Sequence, residues 1–167
     1  MAIREIVTIP EDVLRRKAHK VTNFDKDLVT LIDDMLETMR QAPGVGLAAP
    51  QVAISQRVIV VEYAEEKEDR PKSFAVINPE IIKTSAETEL GVEGCLSIPN
   101  MVGEVERFTS VVIKGFNKMG KPVKIKTTGW LARIFQHEVD HLDGILFTDR
   151  ATRIWQPPQE EMAELPE

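Results

Sequence analysis

The sequence predicts an α+β fold, with mostly antiparallel sheets packed around a buried central helix that carries a His-Glu-x-x-His motif. Three observations lead there. Leu28, Leu31, Ile32, Met35, Leu36 and Met39 recur at three- and four-residue spacing, which marks an amphipathic helix early in the chain. β-Branched and apolar stretches separated by turn residues follow between Arg57 and Thr127. One late helical stretch, Trp130 to Leu142, is mostly apolar and holds His137, Glu138 and His141.

Taken in order, Pro10 to Lys17 reads as a short helix, with proline first and acidic residues in its first turn. Asp25 can cap the helix that runs to Gln41, and Pro43-Gly44 ends it. Its apolar stripe is core packing rather than a ligand box. Arg57 to Ala64 reads as a strand, Glu65 to Lys72 as a charged turn, and Ser73 to Asn78 as a second strand closed by Asn78-Pro79. Ile81 to Leu90 is expected to be extended. Glu104 to Asn117 and Lys121 to Thr127 flank Lys118-Met119-Gly120, a hairpin signal. Thr127-Thr128 offers a hydroxyl to cap the late helix, and Gly144 stands where a left-handed residue is wanted after it.

Composition bounds the function. A chain of 167 residues, 43% hydrophobic and 29% charged, suits one domain with one good core. A net charge of -6 argues against general nucleic-acid binding, DNA included, through a basic surface. No apolar run approaches the roughly 20 residues that span a bilayer, and Met1 to Glu5 lacks the apolar core of a signal peptide. No membrane partner is expected. One cysteine excludes an intrachain disulfide, so a cytoplasmic location is expected.

The chemistry concentrates in three stretches. On a helix, His137 and His141 lie on one face and can share one metal ion, with Glu138 beside them to take a proton from an activated water. Two histidines leave the site short of ligands. Cys95, in Gly91-Val92-Glu93-Gly94-Cys95-Leu96-Ser97, supplies a thiolate that suits zinc or ferrous iron, and the site then keeps an open position. A lone cysteine is more often a small buried hydrophobe, but here the waiting histidine pair favours a ligand. Gly44 to Gln51 holds two glycines and two alanines, so an extended peptide can approach closely and Gln51 can donate an amide N–H to an oxyanion; read alone, the stretch is equally a tight turn with a surface Gln. Asp140, between the histidines, is a candidate anchor for that cluster, and Arg107 a candidate partner for Asp140 or Glu93. His19 reads as an exposed polar residue and Asp143 as helix-end solvation.

Together the three stretches resemble the peptide deformylase family, whose motifs Gly-φ-Gly-φ-Ala-Ala-x-Gln, Glu-Gly-Cys-φ-Ser and His-Glu-φ-x-His stand here at Gly44 to Gln51, Glu93 to Ser97 and His137 to His141, φ being apolar. The resemblance covers roughly residues 3 to 150. It implies that Cys95, His137 and His141 bind one divalent metal, usually Fe2+ in the bacterial enzymes, with Zn2+ or Ni2+ as alternatives. It implies that Glu138 is the general base and then the acid, and that Gln51 and the Leu96 N–H stabilise the oxyanion. Backbone near Val45, Gly46 and Gly94 would pair with the substrate, and an apolar pocket would take the methionine side chain. The substrate would be the N-formyl-methionyl end of a nascent chain, with formate released.

Two other readings compete. A zinc endopeptidase shares the helix motif but generally takes a later His or Glu as third ligand. A metal-stabilised peptide-binding module needs neither Glu138 nor Gln51. The catalytic unit is expected over residues 1–153, with 154–167 as an acidic tail interrupted by Pro157-Pro158. That tail carries four Glu after Arg153 and no Lys or Arg, so ribosomal RNA would repel it. A ribosome contact, where made, is expected to be transient and not to use the tail.

Overall fold

Helix α1 (Lys26–Gln41) starts where the sequence places its cap: the Asp25 carboxylate accepts the Leu28 N–H at 3.1 Å. Its apolar stripe is buried against a strand pair, β1 (Gly46–Ala48) and β2 (Val58–Tyr63). The computed structural model describes residues 2–64 and 70–158. The remaining strands are β3 (Lys72–Thr84), β4 (Thr88–Cys95), β5 (Ile98–Phe108), β6 (Ser110–Phe116), β7 (Pro122–Thr128) and β8 (Ala151–Trp155). Two helices separate β7 from β8: α2 (Gly129–Leu142) and the single turn α3 (Phe147–Arg150). Every strand pairing is antiparallel, in a five-stranded sheet ordered β1-β2-β3-β6-β7 and a three-stranded sheet ordered β4-β5-β8.

The alternation of β2 divides the core. Val58 and Val60 face α1, while Ile59 and Val61 face α2. Helix α2 contacts strands of both sheets, and Leu131, Ile134, Phe135, Val139 and Leu142 are buried. The sheet order leaves β1 and β4 as edges, one in each sheet, and these edges meet at the site described below.

Four expectations change. The helix over Pro10 to Lys17 is only a 3-10 turn, Asp12–Arg15. The chain then extends, and the Ala18 and His19 N–H groups bond to the carbonyls of Leu142 and Ser55 instead of continuing a helix. The strand closed at Asn78-Pro79 runs on to Thr84 across a register shift. Asn78 takes a left-handed φ of 53° there, and its side chain bonds both backbone groups of Val21. The stretch Glu104 to Asn117 splits between two sheets at Thr109, where the Gln136 amide bonds both the N–H and the carbonyl of Phe108. Thr128 is the N-cap residue of α2, but its hydroxyl makes no capping bond.

Other expectations hold. The β6–β7 hairpin turns through Asn117 to Lys121. Gly144 has φ 74° just past α2. The charged turn over Glu65 to Lys72 falls mostly outside the described residues, as do tail residues 159–167. Strand β8 carries Ile154 and Trp155, the first residues of the expected tail, into the sheet. No helix of the described residues is long and apolar enough to cross a membrane.

Candidate metal centre

His137 and His141 stand one turn apart on α2, and Cys95 ends β4, the edge of the smaller sheet. Donor atoms of the three lie within 4.8 Å of one another, and all three residues are buried. Cys95 Sγ is 3.3 Å from His141 Nε2. One thiol and two imidazoles converging in a dry place form a donor set that fits a single divalent ion, and three protein ligands leave a position open.

The surroundings orient the rings. Glu93 Oε1 is 2.9 Å from His137 Nδ1, which leaves Nε2 as the ligand atom. Glu93 also receives a two-pronged bond from Arg107, with Nε and Nη2 both at 2.9 Å, and a third from Arg133 Nη1 at 2.7 Å. Arg107 passes on to Asp140 at 2.6 Å, and Arg150 clamps the same carboxylate at 2.6 and 3.0 Å. Burial would raise the Glu93 pKa, but the bonds from Arg107 and His137 hold it far below the carboxylate range. Burial likewise works against charge on His137, yet the Cys95 and Glu93 bonds hold its pKa well above the usual value. For His141 burial and the neighbouring His137 charge act together, and its pKa falls well below the usual value.

Glu138 follows His137 on α2 and is only 2% exposed. Its carboxylate lies over the backbone of Gly46, where a Cβ would stand 2.5 Å from Oε2. Gln51 comes from a 3-10 turn, Ala49–Val52, behind β1. Its Oε1 accepts the Ala48 N–H at 2.9 Å, and its Nε2 donates to Ser97 Oγ at 3.1 Å and faces Cys95 Sγ at 3.6 Å. The amide N–H end is thus turned toward the thiol. Val45, beside edge strand β1, and Gly94, on edge strand β4, line one small pocket with Trp130, Ile134, His137 and Glu138. Leu96 follows Cys95 directly in the turn between β4 and β5.

The structure therefore gathers Cys95, His137, His141, Glu138 and Gln51 at one place, with Val45, Gly46 and Gly94 along its two strand edges. Arg107 bonds to both candidate partners, Glu93 and Asp140. His19 is exposed and joins Gln56 instead of the cluster, and Asp143 pairs with Arg57 at 3.0 Å. Two residues went unread in the sequence. Arg133 stands four before His137, on the same helix face, a spacing that could have flagged it. Ser97, fully buried, closes the Glu-Gly-Cys-Leu-Ser stretch and fixes Gln51.

Known proteins are similar to this chain along most of its length. The family model for polypeptide deformylase matches residues 3–156. Peptide deformylase from Symbiobacterium thermophilum is 52% identical over 154 residues, covering 92% of this chain and 69% of that protein. Peptide deformylase 1 from Bacillus subtilis is 44% identical over 165 residues, covering 99% of each chain. The crystal structure of peptide deformylase from Thermotoga maritima superposes with a TM-score of 0.84 at 43% identity, covering 92% of this chain and 100% of that one. With three motifs brought to one site and the match running through nearly the whole chain, this protein belongs to the polypeptide deformylase family.

Proposed function

We propose that the family's reaction runs here on Cys95, His137, His141, Glu138, Gln51 and the Leu96 N–H. The protein is a hydrolase that removes the N-formyl group from the N-terminal formyl-methionine of newly made proteins and releases formate. The observation that carries the division of labour is the convergence of one thiol and two imidazoles beside a buried carboxylate and a fixed amide. Cys95, His137 and His141 hold the ion. When bound, a divalent metal supplies a Lewis acid that makes water acidic near neutral pH.

The remaining steps belong to the chain's own groups. A Glu138 carboxylate oxygen takes the proton as water attacks the formyl carbon, then returns it to the leaving amine. The developing oxyanion meets Nε2 of Gln51 and the N–H of Leu96. The substrate backbone lies between edge strands β1 and β4, beside Val45, Gly46 and Gly94, as an added strand. Its methionine side chain enters the pocket bounded by Val45, Trp130 and Ile134. All of these groups fall within residues 1–153, the unit proposed as the catalytic domain.

Ferrous iron is the proposed occupant, on the resemblance to bacterial enzymes; zinc and nickel are the competing ions that this donor set also accepts. The protein is placed in the cytoplasm, where its one thiol stays reduced and new chains appear. Ribosome contact is proposed to be transient and independent of the acidic tail, so deleting residues 159–167 leaves co-sedimentation with ribosomes unchanged.

The test is formate release from a short N-formyl-methionyl peptide. Protein purified without oxygen is loaded separately with iron, nickel and zinc. Release that vanishes in Glu138→Ala, while that variant still binds the peptide, supports the assignment. A folded, metal-occupied protein that releases nothing with any ion points instead to a peptide-binding module.

A further inference from the structure

The outer face of the larger sheet departs from the charge of the whole molecule. Two adjacent rungs of β3, β6 and β7 share that face. In one, Val112 pairs with Lys83 and Lys126; in the next, Lys114 pairs with Glu80 and Lys124. The four lysines are exposed, and none has a hydrogen bond or ion pair among the described residues. Their block sits on a protein of net charge -6. The rung beyond adds the hydroxyl residues Ser110 and Thr128.

Lys114 faces Lys124 on one side, where like charges destabilise an antiparallel pair, and Glu80 on the other, where opposite charges offset part of that cost. Lys83 and Lys126 face Val112 and have no carboxylate opposite them. Lysines do protect an edge strand from pairing with other chains, and β7 is an edge, which accounts for Lys124 and Lys126. Lys83 and Lys114 lie on the inner strands β3 and β6, where no edge needs protection. The face is also uncovered. Helix α1 packs on this side of the sheet, but against β1 and β2, so the rungs of β6 and β7 stay open to solvent.

The geometry points to docking of this face on the phosphate backbone of double-helical RNA. Lysines one rung apart are spaced by about 6.8 Å along a strand and about 5 Å across it, so several phosphates can be met at once. Hydroxyls beside the lysines are ordinary phosphate donors. The two rungs offer no aromatic side chain to stack an unpaired base and no arginine to read a base edge, which selects a duplex backbone over single strands and predicts indifference to sequence. At physiological salt, screening over about 8 Å keeps the acidic remainder of the surface from cancelling the block. RNA over DNA rests on the proposed reaction, because newly made chains emerge beside RNA.

The test is binding of a short mixed-sequence RNA duplex, followed by fluorescence anisotropy across a salt series. The parent binds at low salt. K114Q/K124Q weakens binding at least tenfold, and lowers the slope of log affinity against log salt by about 2. K17Q/K26Q makes the same change in net charge at exposed lysines outside the block and leaves binding unchanged. Thermal melting of K114Q/K124Q at or above the parent temperature shows that the fold is intact and the repulsion relieved. No binding at low salt overturns the inference, as do equal losses in the two double variants or preferred binding to phosphatidylserine vesicles. Formate release from a short formyl peptide is measured alongside and stays at parent level in both doubles. Lysine-dependent RNA binding by a parent that releases no formate would overturn the reaction and leave the surface standing.

Discussion

Gly46 lies against the Glu138 carboxylate and Gln51 is held by Ser97, so both can be tested for the proposed roles. A methyl group at position 46 would stand 2.5 Å from Glu138 Oε2, so Gly46→Ala must push the carboxylate aside. A displacement of about 1 Å is enough to cost about a hundredfold in rate. Gly46→Ala is expected to lose about that much in kcat while KM for the formyl peptide moves little and bound metal per chain stays at parent level. A loss confined to KM would place Gly46 in substrate binding alone. Gln51 tests the oxyanion role separately. An oxyanion donor contributes about 3 kcal/mol. Gln51→Ala should therefore lower turnover a hundredfold or more with the metal retained, and near-normal turnover would remove Gln51 from the mechanism. Ser97→Ala deletes only the hydroxyl that accepts from Gln51 Nε2 and should fall between parent and Gln51→Ala.

The elements show which features travel through local sequence and which through space. The two threonines before α2 and the aspartate before α1 look alike as cap candidates, but only Asp25 makes the bond. Asp25→Ala should cost about 1 kcal/mol in urea unfolding and Thr128→Ala a few tenths at most. Equal losses would show that the Thr128 hydroxyl caps after all. Gly144 carries the larger expectation, because its φ of 74° is strained for alanine and a Cβ would stand 2.5 Å from the Arg15 carbonyl. Gly144→Ala should cost about 1–3 kcal/mol. Asp25, Gly144 and the histidine pair were legible because helix geometry sets them within a few residues of their partners. The support of the metal centre was legible only in part: charge alone marks Arg107 as a partner for Glu93 or Asp140, but Arg133 reaches Glu93 across 40 positions and Gln51 reaches Ser97 across 46. No periodicity encodes such contacts. The passage of the chain between sheets at Thr109 was hidden for the same reason, since the bonds that replace a strand partner there come from Gln136.

At the scale of the molecule, an N-terminal segment without regular structure joins the parts. Its Ala2 N–H donates to the Asp34 carboxylate at 2.7 Å and Arg4 Nε to the same group at 2.9 Å, both on α1. Val7 N–H donates to the Gln51 carbonyl at 2.8 Å and Ile9 N–H to that of Ser97 at 3.0 Å. One extended stretch thereby links α1 to Gln51, the proposed oxyanion donor, and to Ser97, whose hydroxyl holds the Gln51 amide. Burial acts to raise the Asp34 pKa, but the bonds from Ala2 and Arg4 and the Arg4 charge hold it below the usual carboxylate value. A carboxyl held low when folded binds its proton more readily when unfolded. Its contribution to stability is therefore complete above the unfolded value of about 3.9 and disappears as pH falls through the lower folded value. Asp34→Asn removes the charge at every pH. The gap in urea midpoint between parent and Asp34→Asn should be constant above about pH 5 and should close below about pH 4. A gap that persists undiminished at low pH would mean that Asp34 holds the segment by shape and neutral hydrogen bonding, and that its charge contributes nothing.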